Sequence, residues 1–267
     1  MANVEAGINY IGAMATRPRF YAQDHSKDIL SLEPHIVKIE DVRGKPPTLA
    51  REGFTLVPHR SAVADFRDDA EVGRIHTREI EELIQSVSGA DAVSVTGRGV
   101  LRFAEKSPLS GKLFNSLPAR FIHIDISDST AAAFSARSNP KPGETPRRAC
   151  HYNVWRVISD PPQDVPLSVC DARSLTPSDL TAADAMFDAF DGQPEWSFEA
   201  LLIRFNPRHR WCWFPDMTRN EALIFKTNDS DLSEAHHVPH SAFDNPLAPA
   251  DTSPRASIEM RAIAYWY

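Results

Sequence analysis

Phe121-Ile122-His123-Ile124-Asp125-Ile126 alternates apolar and polar side chains, which is the period of a β-strand. As a strand it sets His123 and Asp125 on one face together with Phe121, and turns Ile122, Ile124 and Ile126 toward a packed layer on the other. An imidazole and a carboxylate two positions apart on one face are placed to grip a single metal ion. A second imidazole from elsewhere would complete a 2-His-1-carboxylate facial triad, which leaves positions on ferrous iron open for oxygen chemistry. Alone, the triplet also reads as an ordinary strand with a surface-facing His and Asp.

Downstream, Val238-Pro239-His240-Ser241-Ala242-Phe243-Asp244-Asn245-Pro246 offers His240 as the third ligand, with His236 and His237 as competitors. Fifteen residues after His240, Arg255 and Ser257 share one strand face by the same period-two rule. A guanidinium fork pairs bidentately with a carboxylate, and a hydroxyl adds one more bond. A small dicarboxylate could therefore rest one end on Arg255 and Ser257 while the other chelates the metal. Arg261, on the same face, is a rival anchor that Glu259 could hold instead.

These groups need rigid elements to position them. Strands are expected at 6–12, 35–42, 54–57, 92–96, 149–158, 167–170, 198–205, 209–214, 221–226 and 256–267, with turns at 43–47, 206–207 and 215–216. Val72, Ile75, Ile80, Leu83 and Ile84 recur at near-helical spacing, predicting an amphipathic helix over 69–87. Thr176-Pro177-Ser178-Asp179 carries helix-start signals and predicts a second helix running toward Phe187. Residues 127–146 read as a long connection beside the metal, either an active-site lid or a plain surface loop, with 131–134 as a helical turn. Many short strands with few helices point to a mainly β sandwich or jelly roll.

Composition narrows the class. The 267 residues carry a formal charge of −7, which argues against a general nucleic-acid binder. No apolar run approaches a membrane span, no signal-peptide core stands near the start, and Cys150, Cys170 and Cys212 are widely spaced and odd in number. The expectation is a cytoplasmic protein with reduced core cysteines and neither nucleic-acid nor membrane partners. Whether it forms a homodimer is left open.

The order of HxD, then His, then RxS resembles the Fe(II)/2-oxoglutarate-dependent dioxygenases of the double-stranded β-helix fold. Further stretches are similar to one subgroup: His151-Tyr152-Asn153-Val154-Trp155-Arg156, Pro166 to Ser174, Asn206 to Trp211, Trp213 to Thr218, Glu221 to Lys226 and Pro254 to Arg261. That subgroup holds the fungal gibberellin desaturase-like proteins, the cephamycin-cluster CmcJ proteins and the meroterpenoid endoperoxidases. The similarity spans roughly residues 50–265. It departs at Asn228-Asp229-Ser230, where the family often has Tyr-Asp-Ser, and at Ala256, where it has Glu. The resemblance implies a single dioxygenase domain over 1–267, with N-terminal strands and a helix to about residue 90 flanking a jelly-roll core over 91–267. It implies Fe(II) on His123, Asp125 and His240, with His240 preferred because His240-Ser241-Ala242-Phe243 matches the family pattern. It also implies 2-oxoglutarate on Arg255 and Ser257, with O2 as oxidant.

The expected reaction is oxidation of a C–H bond in a small specialised metabolite or amino-acid-derived substrate, by hydroxylation, desaturation or oxidative cyclisation including endoperoxidation. Trp155 and Trp213 are candidate walls of the substrate pocket, although aromatics at such spacing are commonly core. Trp211 and Trp213 share a face, so both should point in or both out. Two rival classes are weaker. Methyl transfer lacks a Gly-rich strand-to-helix loop for a nucleotide-like cofactor. A non-catalytic jelly-roll binding protein would not need the intact triad.

Overall fold

Residues 2–189, 192 and 194–267 are described by the computed structural model, and their strands and helices follow one another as β1 Val4–Ile11, β2 Arg19–Tyr21, β3 Leu32–Asp41, β4 Phe54–Pro58, α1 Asp69–Glu71, α2 Thr77–Ser88, β5 Ala92–Phe103, β6 His123–Ile124, α3 Asp128–Arg137, β7 Arg148–Val157, β8 Leu167–Cys170, β9 Leu180–Phe187, β10 Trp196–Ile203, β11 Trp211–Trp213, β12 Glu221–Asp229, β13 His240–Ala242 and β14 Ala256–Trp266. The strands make two sheets. One has nine strands in the order β1-β3-β11-β8-β13-β6-β10-β9-β2, the other five in the order β4-β12-β7-β14-β5. The architecture is mainly β with curled sheets, as the double-stranded β-helix reading expects. Strands from the first ninety residues are woven into both sheets, β3 beside β11 and β4 beside β12.

The five-stranded sheet is covered on both faces, so β7 reads as an almost continuous buried run rather than an alternation. Cys150, Tyr152 and Val154 turn toward the helical stretch that begins at α1, passes through a wide turn at Val72–His76 and continues as α2. Ile80 and Ile84 of α2 are fully buried there, and each such side chain stabilises by about 1.5–3 kcal/mol. Ile258, Met260, Ala262 and Ala264 of β14 meet the same helix. By the period of two, Asn153, Trp155 and Val157 of β7 and Ser257, Glu259 and Arg261 of β14 face the other way, into the space between the sheets. Polar side chains on that inner face have to be explained by what they hold.

The nine-stranded sheet curls. A parallel bridge from Asn9 to Phe121, with Ile122 N–H donating to the Asn9 carbonyl at 3.0 Å, brings edge strand β1 back onto the chain before β6. Ile8, Tyr10, Ile39, Ile124, Trp211 and Trp213 fill the resulting roll. Trp211 and Trp213 thus both point in. Ile122, Ile124 and Ile126 are buried as the alternation requires, although only His123 and Ile124 form regular strand.

One element is corrected. The helix expected after Thr176 is a single tight turn over Pro177–Asp179, followed by strand β9. The start signals are real: the Thr176 N–H and hydroxyl both donate to Asp179 Oδ2 at 2.7 Å, and Pro177 follows. Residues 180–187 nevertheless pair in eight registered positions with β10. A ladder of that length outweighs one local cap. The 127–146 connection contains more order than a helical turn, since α3 occupies ten of its residues. Among the described residues, no helix is long and apolar enough to cross a membrane.

Candidate metal and co-substrate site

β6 and β13 are neighbours, and their register sets His123 directly opposite His240. A cross-strand pair of this kind points both imidazoles to the same face, and the ring centroids lie 4.3 Å apart. Each ring donates its Nδ1–H to the carbonyl two residues back, His123 to Phe121 at 3.1 Å and His240 to Val238 at 3.3 Å. A carbonyl can only accept, so both Nε2 atoms are left with a free lone pair. Asp125 follows β6 directly. Its Oδ1 is 3.4 Å from His123 Nε2 and 3.6 Å from His240 Nε2.

The other oxygen of Asp125 is occupied by the second sheet. Asn153 Nδ2 donates to Oδ2 at 2.8 Å, and Arg261 Nε lies 3.3 Å from it. Burial would push this carboxyl up, but the Arg261 guanidinium and the two imidazoles outweigh it and hold it well below the usual range. Burial, then the field of His123, lowers His240 to about 3. A neutral imidazole and an ionised carboxylate are the states in which these groups bind a metal. The three donor atoms lie within 4.8 Å of one another. The donor set, two nitrogens and one oxygen on one side, suits a divalent ion with open positions on the other.

Arg255 enters just before β14 and is 1 % exposed. Its Nη1 donates to Ser257 Oγ at 3.1 Å, and its backbone N–H to Asp164 Oδ1 at 2.8 Å. Its Nε and Nη2 have no partner among the described residues. Burial and then the nearby Arg102 and Arg120 charges bring it down to about 9. A buried guanidinium with two idle donors is an unfinished contact, and a carboxylate completes it. Arg102, His123, Trp155, His240, Arg255 and Glu259 border one narrow cleft, which joins the histidine cluster to this guanidinium. Arg261 is committed otherwise, pairing with Glu259 at 3.1 Å and with Asp125.

Beyond the cluster lies a cavity of about 300 Å³ whose walls include Phe20, Leu117, Phe121, Met186, Phe187 and Phe198, with His123 and Asp125 on its border. A second, of about 260 Å³, lies on the α3 side of Asp125 and is bordered by Phe134, Tyr152 and Trp196. Trp155 borders the narrow cleft, its ring 5.7 Å from Arg255 Cζ. Trp213 is brought to neither cavity: it fills the roll and donates Nε1–H to the Ala2 carbonyl at 3.1 Å. His236 and His237 lie apart from the His123 group, against Asp128.

Sequence reasoning missed Asn153 and Arg102. Asn153 could have been found as the polar inner position of a strand buried on both faces. Arg102 donates from Nη1 to the Asn115 and Leu117 carbonyls at 3.0 and 2.7 Å. It borders both the cleft and the larger cavity.

A family model described as "Oxidoreductase/YMDC permease-like domain" matches residues 8–265. Hydroxylase/desaturase CTB9 of Cercospora beticola is 30% identical over 255 residues, covering 88% of this chain and 77% of that protein. The Fe(II)/2-oxoglutarate-dependent dioxygenase nvfI of Aspergillus novofumigatus is 26% identical over 245 residues, covering 87% of this chain and 84% of the relative. A solved structure of the iron and alpha-ketoglutarate-dependent endoperoxidase NvfI aligns with a TM-score of 0.83 at 22% identity, over 99% of this chain and 98% of that one. At that identity the structural likeness speaks for the fold.

Proposed function

We infer the role of each residue from one premise: the chain belongs to the family of Fe(II)/2-oxoglutarate-dependent dioxygenases that includes these fungal hydroxylases and desaturases. Its cofactor is Fe(II), its co-substrates are 2-oxoglutarate and O2, and its substrate is a small molecule. The observation that carries the assignment is the convergence of His123 Nε2, His240 Nε2 and Asp125 Oδ1 on one point. In our reading these three hold the iron, and Arg255 with Ser257 holds the distal carboxylate of 2-oxoglutarate. When bound, the iron and 2-oxoglutarate together supply oxidation of a C–H bond by O2, with succinate and carbon dioxide as co-products.

The chain's own residues supply the setting. The Phe121 and Val238 carbonyls keep both histidines in the metal-binding tautomer. Asn153 and Arg261 hold Asp125 Oδ2, which leaves Oδ1 facing the two histidine Nε2 atoms, where it would serve as a metal ligand. Arg255 waits as a desolvated cation with two free donors, so binding a carboxylate requires no reorganisation of the anchor. The aromatic and aliphatic side chains of the larger cavity give a substrate an apolar surface beside His123 and Asp125.

Phe20, Phe121, Met186, Phe187 and Phe198 in the walls of that cavity, with Arg102, Glu105 and Arg120 on its border, support a carbon-rich, terpenoid-like specialised metabolite that carries a polar group. We read the two sheets as one catalytic domain, because the metal ligands come from one and their supports from the other. The buried free thiols of Cys150, Cys170 and Cys212 support a cytoplasmic location. The test is succinate formation with Fe(II) and 2-oxoglutarate, with and without carbon-rich candidate substrates. Stimulation, with a product that has gained oxygen or lost two hydrogens, is expected. Succinate no higher than in an iron-free control would overturn the reading.

A further inference from the structure

A second group of metal-type donors lies outside the site described above. Asp128 opens α3, and His236 and His237 lie in the connection from β12 to β13. Asp128 Oδ1 is 2.8 Å from His236 Nε2 and 3.3 Å from His237 Nε2. All three donor atoms lie within 4.8 Å of one another.

Hydrogen-bond partners decide what those nitrogens carry. His236 Nδ1 is 2.6 Å from the Asp229 carbonyl, which can only accept, so Nδ1 bears the proton of the neutral ring. The Nε2 of that ring then faces the Asp128 carboxylate with a bare lone pair. Asn228 Nδ2 donates to Asp128 Oδ1 at 2.8 Å and sits 3.2 Å from His237 Nε2. An amide N–H is a donor, so His237 Nε2 is also an acceptor. Two imidazole lone pairs and a carboxylate oxygen thus converge. A second proton on His236 relieves one of those contacts; a divalent cation relieves them all.

The surroundings suit a cation. The side chain of His237 is 4 % exposed and that of His236 25 %, while that of Asp128 is 72 % exposed, which gives an ion a route in and water a place to complete its coordination. Two cations next to Asp229, whose carbonyl faces His236, are paired: Lys226 with Asp229 at 2.8 Å and Glu234 at 3.4 Å, and Arg148 with Asp229 at 2.6 Å.

We propose that Asp128, His236 and His237 form a second divalent-metal site, taking Zn²⁺ or a similar borderline transition ion, that clamps the start of α3 to the segment leading into His240. Two imidazoles and one carboxylate with water in the remaining position is an ordinary zinc donor set. Its position gives it leverage: Asp128 stands three residues after Asp125, and His237 three residues before His240. An ion here ties together the two chain segments that carry those residues.

The test uses the full chain in a His123→Ala, Asp125→Ala background, which leaves the first site one imidazole, too few to hold an ion tightly. Equilibrium dialysis against Zn²⁺ or Co²⁺, read by elemental analysis, should find one equivalent bound. Adding His236→Ala, or separately the surface change Asp128→Asn, should remove it. Thermal melts should show a Zn²⁺-dependent rise in Tm that disappears with the same changes. No bound ion in the doubly substituted background, or a full equivalent retained with unchanged affinity in both further variants, overturns the proposal. Asp128→Asn keeps the size of an exposed side chain and one acceptor oxygen while removing the charge, so it remains informative if the histidine change impairs folding.

Discussion

Replacing Arg255 by Met should separate two properties that usually fall together. Arg255 is 1 % exposed, and its Nε and Nη2 have no partner among the described residues. In the free protein it is therefore a desolvated charge that no carboxylate pairs directly among the described residues, and an apolar residue of similar length should leave the metal-free protein equally stable or more so. For 2-oxoglutarate the effect is opposite. A charge-assisted contact from two idle donors contributes on the order of 1.5–3 kcal/mol, so Arg255→Met should weaken co-substrate binding roughly ten- to a hundredfold. Arg255→Lys should recover only part, because a point charge cannot form the fork. Titration calorimetry of 2-oxoglutarate into protein loaded with redox-silent Mn(II), beside urea melts of the metal-free variants, reads both. Unchanged 2-oxoglutarate affinity in Arg255→Met together with its loss in Arg261→Met would refute the anchor assignment, and with it the role given to the inner face of β14.

Asn153→Ala frees Asp125 Oδ2 and should weaken iron affinity roughly tenfold or more, measured by competition with a chromophoric chelator; unchanged affinity would remove Asn153 from the support of the site. Stability should fall on mild acidification. Burial holds His76 and His151 near 4 in the folded chain, against about 6.5 unfolded. These depressed values stabilise the neutral fold fully above pH 6.5, and that stability is lost as the pH falls toward 4. Each costs about 2 kcal/mol by pH 5, so urea melts at pH 7 and 5 should differ, and His151→Gln should reduce the difference by one proton's share. Met186→Trp should obstruct the larger cavity and abolish stimulation of 2-oxoglutarate turnover by bulky substrates, while substrate-free turnover persists; full stimulation would place the substrate elsewhere.

Much of this was legible in the chain. The alternation around His123 and Asp125 predicts the shared face because side-chain period is a local property of strands. The apolar spacing of Val72, Ile75, Ile80 and Ile84 likewise marks the helix that covers the five-stranded sheet. The Thr176 cap misleads because a capping box specifies one turn and says nothing of the ladder that β10 offers to residues 180–187. The His123–His240 opposition depends on β13 lying beside β6 across more than a hundred residues of chain, a register that no local pattern encodes. Asn153 was hidden for a related reason: its meaning comes from the facing sheet, where Asp125 follows β6 and turns Oδ2 toward it. Trp213 resembled a pocket wall only until the curl of the large sheet turned it inward onto Ala2.

The most direct measurement is release of labelled carbon dioxide from 1-labelled 2-oxoglutarate, in air and with Fe(II), by the wild type and by His123→Ala, Asp125→Ala, His240→Ala and His237→Ala. The account predicts release by the wild type and by His237→Ala, and none above background from the other three, since a facial triad has no spare protein ligand. Release by His240→Ala at the wild-type rate, with His237→Ala silent, would contradict it.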